Sequence, residues 1–135
     1  MLSKILCVDD DAITLMLCKK VISKAEFSKE IDTAINGEKA LLYLESIIED
    51  KEKDENTIFP ELIFLDLNMP VMNGWEFLDV FSTDKYSKVF KDTKVIVLSS
   101  TIDPKDIEKS KSYSMVINFL SKPITLEILK SIELK

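Results

Sequence analysis

Residues Leu62 to Leu67 read Leu-Ile-Phe-Leu-Asp-Leu, a short apolar run with a carboxylate near its end. A strand that is apolar at successive rather than alternate positions is buried on both faces, as happens in a parallel sheet covered by helices on each side. Pro70 and the Asn73-Gly74 pair break the run into a turn, and a helix is expected from about Trp75. Similar runs occur at Lys4 to Val8, ended by Asp9, Asp10 and Asp11, and at Val95 to Leu98, ended by Ser99 and Ser100. Val116 to Leu120, ended by Ser121-Lys122-Pro123, is another, and Glu30 to Ala34 is a weaker one.

Helical spacing separates these runs. Ile13, Met16, Leu17 and Val21 put one apolar stripe on a helix from about Ala12 to Lys24. Asn36 can cap a helix whose Ala40, Leu44, Ile47 and Ile48 share a face, and the charge-rich stretch Lys51 to Asn56 is expected to be a solvated loop. Asp103 and Pro104 offer an N-cap and a first-turn proline for a helix reaching Ser112, and Leu126, Leu129 and Ile132 mark a closing helix. Five strands alternating with five helices predict a doubly wound α/β fold with a five-stranded parallel sheet. In such sheets ligands bind beyond the carboxyl ends of the strands, where the strand order reverses.

Composition narrows the chemistry. At 135 residues, with 46% hydrophobic and 31% charged residues, the chain fits one globular domain spanning 1–135. No apolar run nears the roughly 20 residues that cross a bilayer, and the N-terminal run is too short for a secretory signal, so a cytoplasmic protein without membrane contact is expected. A net charge of −6 with scattered lysines argues against direct nucleic-acid binding. Cys7 and Cys18 lack the spacing of a redox or zinc pair and are expected to be buried core thiols. There is no histidine, which removes His-dependent nucleophilic catalysis, histidine metal ligation and phosphohistidine. Two glycines, Gly37 and Gly74, are too few for a P-loop or a dinucleotide turn.

At the predicted strand ends stand Asp9, Asp10, Asp66, Ser99 and Lys122. Each alone is weak evidence, since acids are 24 of 135 residues. Together they supply three carboxylates, a hydroxyl and an ammonium. Clustered carboxylates raise one another's pKa values, so a cation is needed to hold them ionised. Oxygen ligands alone select a hard ion, and Mg²⁺ suits a site with few protein carboxylates and room for a phosphate oxygen, whereas Ca²⁺ calls for more protein oxygens. A carboxylate can attack phosphorus to give an acyl phosphate, with a metal and a lysine neutralising the transferred group. Asp66 is the candidate nucleophile.

Val8-Asp9-Asp10-Asp11, Leu65-Asp66-Leu67-Asn68-Met69-Pro70 with Asn73-Gly74, Leu98-Ser99-Ser100 and Ser121-Lys122-Pro123 resemble the receiver domain of two-component response regulators across essentially the whole chain. The resemblance implies a flavodoxin-like strand order 2-1-3-4-5 and a phosphoacceptor that promotes its own phosphorylation and dephosphorylation, rather than an enzyme. It implies Asp66 as phosphoacceptor and Mg²⁺, or Mn²⁺ in its place, held by Asp10, Asp66 and the Asn68 carbonyl with Asp9 assisting, Asp11 lying outside. Ser99 would hydrogen-bond the phosphoryl group and Lys122 would pair with it, a role left to lysine because the chain has no arginine. A cis peptide before Pro123 is expected. Phe119 matches the switch aromatic, with a strand-five core phenylalanine as the plain alternative. The implied donor is a sensor histidine kinase or a histidine phosphotransfer protein. The implied output is a downstream protein, or a homodimer, met through the fourth helix, fifth strand and fifth helix, with no attached output domain.

The chain departs from the pattern at Ser114-Met115, where Gly-Ala is usual, and at Ser100, where alanine or glycine is commoner. The long segment Phe81 to Thr93, together with Asn73-Gly74-Trp75-Glu76-Phe77-Leu78, is similar to stand-alone receivers such as the phytochrome-associated regulators. Met69, Met72 and Trp75 read as loop and helix packing. A haloacid-dehalogenase-type phosphatase would need a second aspartate where Asn68 stands. A flavin carrier would need a phosphate-binding loop where the three aspartates stand. A degenerate receiver is opposed by the intact Asp10, Asp66, Ser99 and Lys122.

Overall fold

Val8 lies opposite Ala34 on one side and Leu65 on the other, so three neighbouring strands end level at one edge of a sheet. The computed structural model describes residues 1–132. In chain order these form β1 (Leu2–Val8), α1 (Ala12–Lys24), β2 (Ser28–Ala34), α2 (Gly37–Lys53), β3 (Leu62–Leu65), α3 (Gly74–Phe81), α4 (Asp84–Ser87), β4 (Lys94–Ser99), α5 (Pro104–Ser110), β5 (Val116–Ser121) and α6 (Leu126–Ser131). Among the described residues the sheet has five strands, all parallel, in the order β2-β1-β3-β4-β5. Fold class and strand order are as expected, and residues 133–135 of the expected 1–135 domain lie outside the described residues.

Successive residues of the central strands serve opposite cores. Leu6, Val8, Ile63 and Leu65 pack with Leu44 of α2 and Phe77 and Phe81 of α3, while Ile5, Cys7, Leu62 and Phe64 pack with Leu15 and Ile22 of α1 and Leu129 of α6. This two-sided burial is why these strands read as unbroken apolar runs. Both cysteines are free and buried; burial pushes the Cys18 thiol to about 11 and Cys7 further up, leaving both as packing groups. Met69 is buried and Met72 and Trp75 pack against the first core, as expected. The Lys122–Pro123 peptide is cis.

Four expectations need correction. The buried face of α1 is Leu15, Cys18 and Ile22, whereas Ile13, Met16 and Leu17 are 65%, 51% and 47% exposed and Val21 is half-buried. Asp11 caps this helix, accepting from the amides of Ile13 at 2.9 Å and Thr14 at 3.4 Å, and the packing of Leu15, Cys18 and Ile22 on the strand residues Ile5, Cys7 and Phe64 fixes which side meets the sheet. The expected loop from Lys51 is helical through Lys53, because Glu and Lys are good helix formers and Lys51 and Lys53 complement the negative helix end. A further short helix, α4, lies within Phe81 to Thr93, where Tyr86 is buried and donates to Glu45 at 2.8 Å. Finally, α5 stops at Ser110 rather than Ser112. Lys111, Ser112 and Tyr113 close it with amide bonds to the carbonyls three residues earlier, the tighter turn common at helix ends.

Candidate functional site

Asp9 and Asp66 are the first residues past two paired strands. The Asp9 amide donates to the Ala34 carbonyl at 3.0 Å and the Asp66 amide to the Val8 carbonyl at 2.9 Å, so the ladder continues into both acids and fixes their backbones. Both are buried, whereas Asp10 is exposed. One carboxylate oxygen from each of Asp9, Asp10 and Asp66 lies within 4.8 Å of the other two.

Lys122 enters from the far side of the sheet. Its amide donates to the Ser99 carbonyl at 2.9 Å, which ties the ends of β4 and β5 together. Its Nζ donates to Asp9 Oδ2 at 2.6 Å and stands 3.4 Å from Asp66 Oδ1. Ser99 is buried at the end of β4, and its hydroxyl accepts from the Thr101 amide at 3.3 Å. Asn68 is exposed, with its amide 3.5 Å from Asp66 Oδ1, a long bond.

The loop from Asp66 to α3 is braced by the two glycines. A Cβ at Gly74 would stand 2.6 Å from the Asp66 carbonyl oxygen and 2.9 Å from Leu67 Cα, and one at Gly37 would stand 2.8 Å from Met72 Cγ. Only glycine allows these approaches. The Gly74 amide donates to the Leu67 carbonyl and the Gly37 amide to the Met72 carbonyl, each at 3.0 Å. Asn73 and Glu76 form a reciprocal cap on α3.

Burial and the neighbouring Asp9 charge raise the Asp66 carboxyl above its ordinary range, and Lys122 offsets only part of this. Burial works to lower Lys122, but its hydrogen bond to Asp9 and the charges of Asp66 and Asp9 outweigh it and hold the ammonium up. Three carboxylates against one ammonium leave two negative charges unbalanced. An oxygen-only donor set with that surplus fits a hard divalent cation.

Asp9, Asp10, Asp66 and Lys122 are thus brought together, and Ser99 is joined to Lys122 through the backbone. Phe119 is opposite Val97 in the β4–β5 register, half-buried and in neither core cluster. It lines a cleft of about 200 Å³ with Ile107, Ser110 and Lys111. That Lys122 shares a pocket with the carboxylates is expected from the strand ends, whereas its bonding to Asp9 rather than Asp66 carries no sequence signal. The capping role of Asp11 was legible as an acid opening an apolar-periodic stretch.

The chain belongs to the response regulator receiver domain family, whose model matches residues 5–132. It is therefore the receiver domain of a two-component response regulator. It is similar to a two-component response regulator from Cytophaga hutchinsonii, with a TM-score of 0.84 and 29% identity over 96% of this chain and 92% of that one. A bacteriophytochrome response regulator matches with a TM-score of 0.71 and 28% identity, over 97% of this chain and 75% of that one. Over 133 residues the chain is 28% identical to a protein-glutamate methylesterase/protein-glutamine glutaminase from Methanococcoides burtonii, covering 96% of this chain and 32% of that protein. The chain spans less than a third of the curated relatives it matches.

Proposed function

We propose that Asp66 accepts a phosphoryl group from a phosphohistidine on a partner protein, a sensor histidine kinase or a histidine phosphotransfer protein, and that the acyl phosphate switches the binding of a downstream protein. The observation that carries this reading is the convergence of Asp9, Asp10 and Asp66 with Lys122 at the carboxyl edge of the sheet. With no histidine among these 135 residues, the donor imidazole lies outside them. The exposed Ile13 and Leu17, on the helix that starts at the acidic pocket, offer an apolar face for the protein that carries it.

In the transfer, an Asp66 carboxylate oxygen forms a bond to phosphorus as the phosphorus–nitrogen bond breaks. The imidazole nitrogen keeps that electron pair and takes a proton from solvent. Asp10, Asp66 and the Asn68 carbonyl would hold Mg²⁺, or Mn²⁺ in its place, with Asp9 assisting. When bound, the ion neutralises charge on the phosphoryl oxygens. Lys122 leaves Asp9 for the phosphoryl group, and the Ser99 hydroxyl gives up the Thr101 amide to donate to a phosphoryl oxygen. Water attack on phosphorus, with Asp66 leaving as carboxylate, resets the site. We read the chain as this phosphoacceptor rather than an enzyme with a separate substrate, acting in the cytoplasm; among the described residues no helix is long and apolar enough to cross a membrane.

The output surface is α5, β5 and α6, reached through Ser99 and Phe119, and a homodimer through it is the alternative to a separate partner. Intact-mass measurement after incubation with Mg²⁺ and acetyl phosphate tests the chemistry. A gain of one phosphoryl group that disappears with a chelator is expected; an unphosphorylated chain, or a gain indifferent to the chelator, would overturn it.

A further inference from the structure

The helix α5 is loosely attached to the body of the domain. Its one buried residue is Ser110, it contributes to neither core cluster, and the Phe119 cleft separates part of it from β5. What ties it laterally is a four-residue contact built from two helical i, i+4 pairs. Trp75 and Asp79 come from α3, and Lys109 and Tyr113 from the C-terminal end of α5 and the turn that closes it. The Trp75 and Tyr113 rings stack with centroids 6.1 Å apart at 27°. The Lys109 ammonium lies 4.5 Å from the centre of the Trp75 ring, and the Tyr113 hydroxyl donates to Asp79 Oδ1 at 2.6 Å.

Each end of this contact is wired to the site. Trp75 follows Gly74, whose backbone is packed against the Asp66 carbonyl, so the start of α3 rests directly on the backbone of Asp66. On the other side, Ser99 accepts from the Thr101 amide in the loop that leads into α5. Tyr113 also receives at its carbonyl the amide of Val116, the first residue of the strand that carries Phe119. A turn of the Ser99 hydroxyl toward Asp66 would free the Thr101 amide in the loop before α5, while the aromatic contact would still hold the far end of the helix to α3.

We infer that Trp75, Asp79, Lys109 and Tyr113 form a clasp that holds α5 in its resting position, so that the strength of the clasp sets how readily the domain switches when Asp66 is modified. This rests on the proposed phosphoacceptor role of Asp66. A contact present in one state and absent in the other biases the equilibrium by its full strength, and the affinity for a ligand of the minor state changes by the same factor. Cation–π and aromatic stacking contacts, and a hydrogen bond to a charged group, each have that capacity.

Trp75 is the single tryptophan of the chain, so its emission reports the clasp directly. The experiment titrates the full chain with beryllofluoride in Mg²⁺, reading binding by ¹⁹F NMR and the clasp by Trp75 fluorescence. Binding is expected to change the Trp75 emission, and Tyr113→Phe, which keeps the ring and loses only the bond to Asp79, is expected to tighten beryllofluoride binding about fivefold. Lys109→Ala acts in the same direction and leaves the ring stack in place. Bound beryllofluoride with unchanged Trp75 emission, or unchanged affinity in both variants despite lower melting temperatures, would make the contact merely structural and overturn the clasp while leaving the Asp66 reading intact. No bound signal in the wild-type chain would overturn the Asp66 reading and the clasp with it.

Discussion

Lys122 donates to Asp9 at 2.6 Å and stands 3.4 Å from Asp66, so in the resting site it is Asp9 that holds the lysine. The ammonium sits between two buried acids and offsets part of the repulsion between them. Lys122→Met leaves both buried acids without a cationic partner, held only by the Asp11 and Asn68 amides, a change that costs roughly 3 kcal/mol where one member of a buried ion pair is removed. Thermal melts without metal are expected to show the loss, and millimolar Mg²⁺ is expected to restore most of it, stabilising the variant more than the wild type. Equal stabilisation of the two proteins would show that Lys122 and the metal do not share these carboxylates.

The raised Asp66 carboxyl makes a signed prediction. A folded-state pKa above the unfolded value means that folding favours the protonated form. The stability gained this way is fully present below the ordinary aspartate range and is lost as pH rises through the raised value. Asp66→Asn removes that loss, so in metal-free buffer near neutral pH it is expected to melt higher than the wild type by a few degrees. The difference is expected to shrink toward acid, where Asp66 is neutral in both states. A variant that melts lower at neutral pH would contradict this electrostatic account.

Gly74 is the position where backbone geometry and chemistry meet. Gly74→Ala drives a methyl into the Asp66 carbonyl and Leu67, neither of which is a flexible side-chain end. A cost of about 2 kcal/mol is expected in denaturant melts, as for other overpacked sites. Phosphorylation is expected to slow about tenfold as the Asp66 backbone is displaced, and an unchanged rate would dissociate the loop from the site.

Val71 has φ of 72° in the same loop and is 74% exposed. A β-branched residue in the left-handed region is strained, whereas asparagine tolerates it. Val71→Asn is expected to stabilise the domain by about 1 kcal/mol in urea titrations without altering phosphorylation.

Much of this was legible in the sequence because a parallel sheet buried on both faces writes its strands as unbroken apolar runs, and the site residues follow those runs directly. Asp9, Asp66, Ser99 and Lys122 could be placed at strand ends by position alone. The phase of α1 was not legible, since its exposed apolar residues share helical spacing as well as its buried ones do, and it is the contacts of Leu15, Cys18 and Ile22 with the sheet that decide. Nor was the bonding of Lys122 to Asp9 rather than Asp66, which depends on side-chain geometry, or the contact of Trp75 with Tyr113, where two side chains meet across a gap of 37 intervening residues.

The central claim is that Asp66 itself carries the phosphoryl group. Borohydride reduces an aspartyl phosphate to homoserine, so the chain is treated with Mg²⁺ and acetyl phosphate, reduced, digested and sequenced by mass spectrometry. Homoserine at position 66 alone, absent when the phosphodonor is left out, is the predicted result. Phosphorylation by intact mass with aspartate intact at position 66, or with homoserine at Asp9 or Asp10 instead, would contradict it.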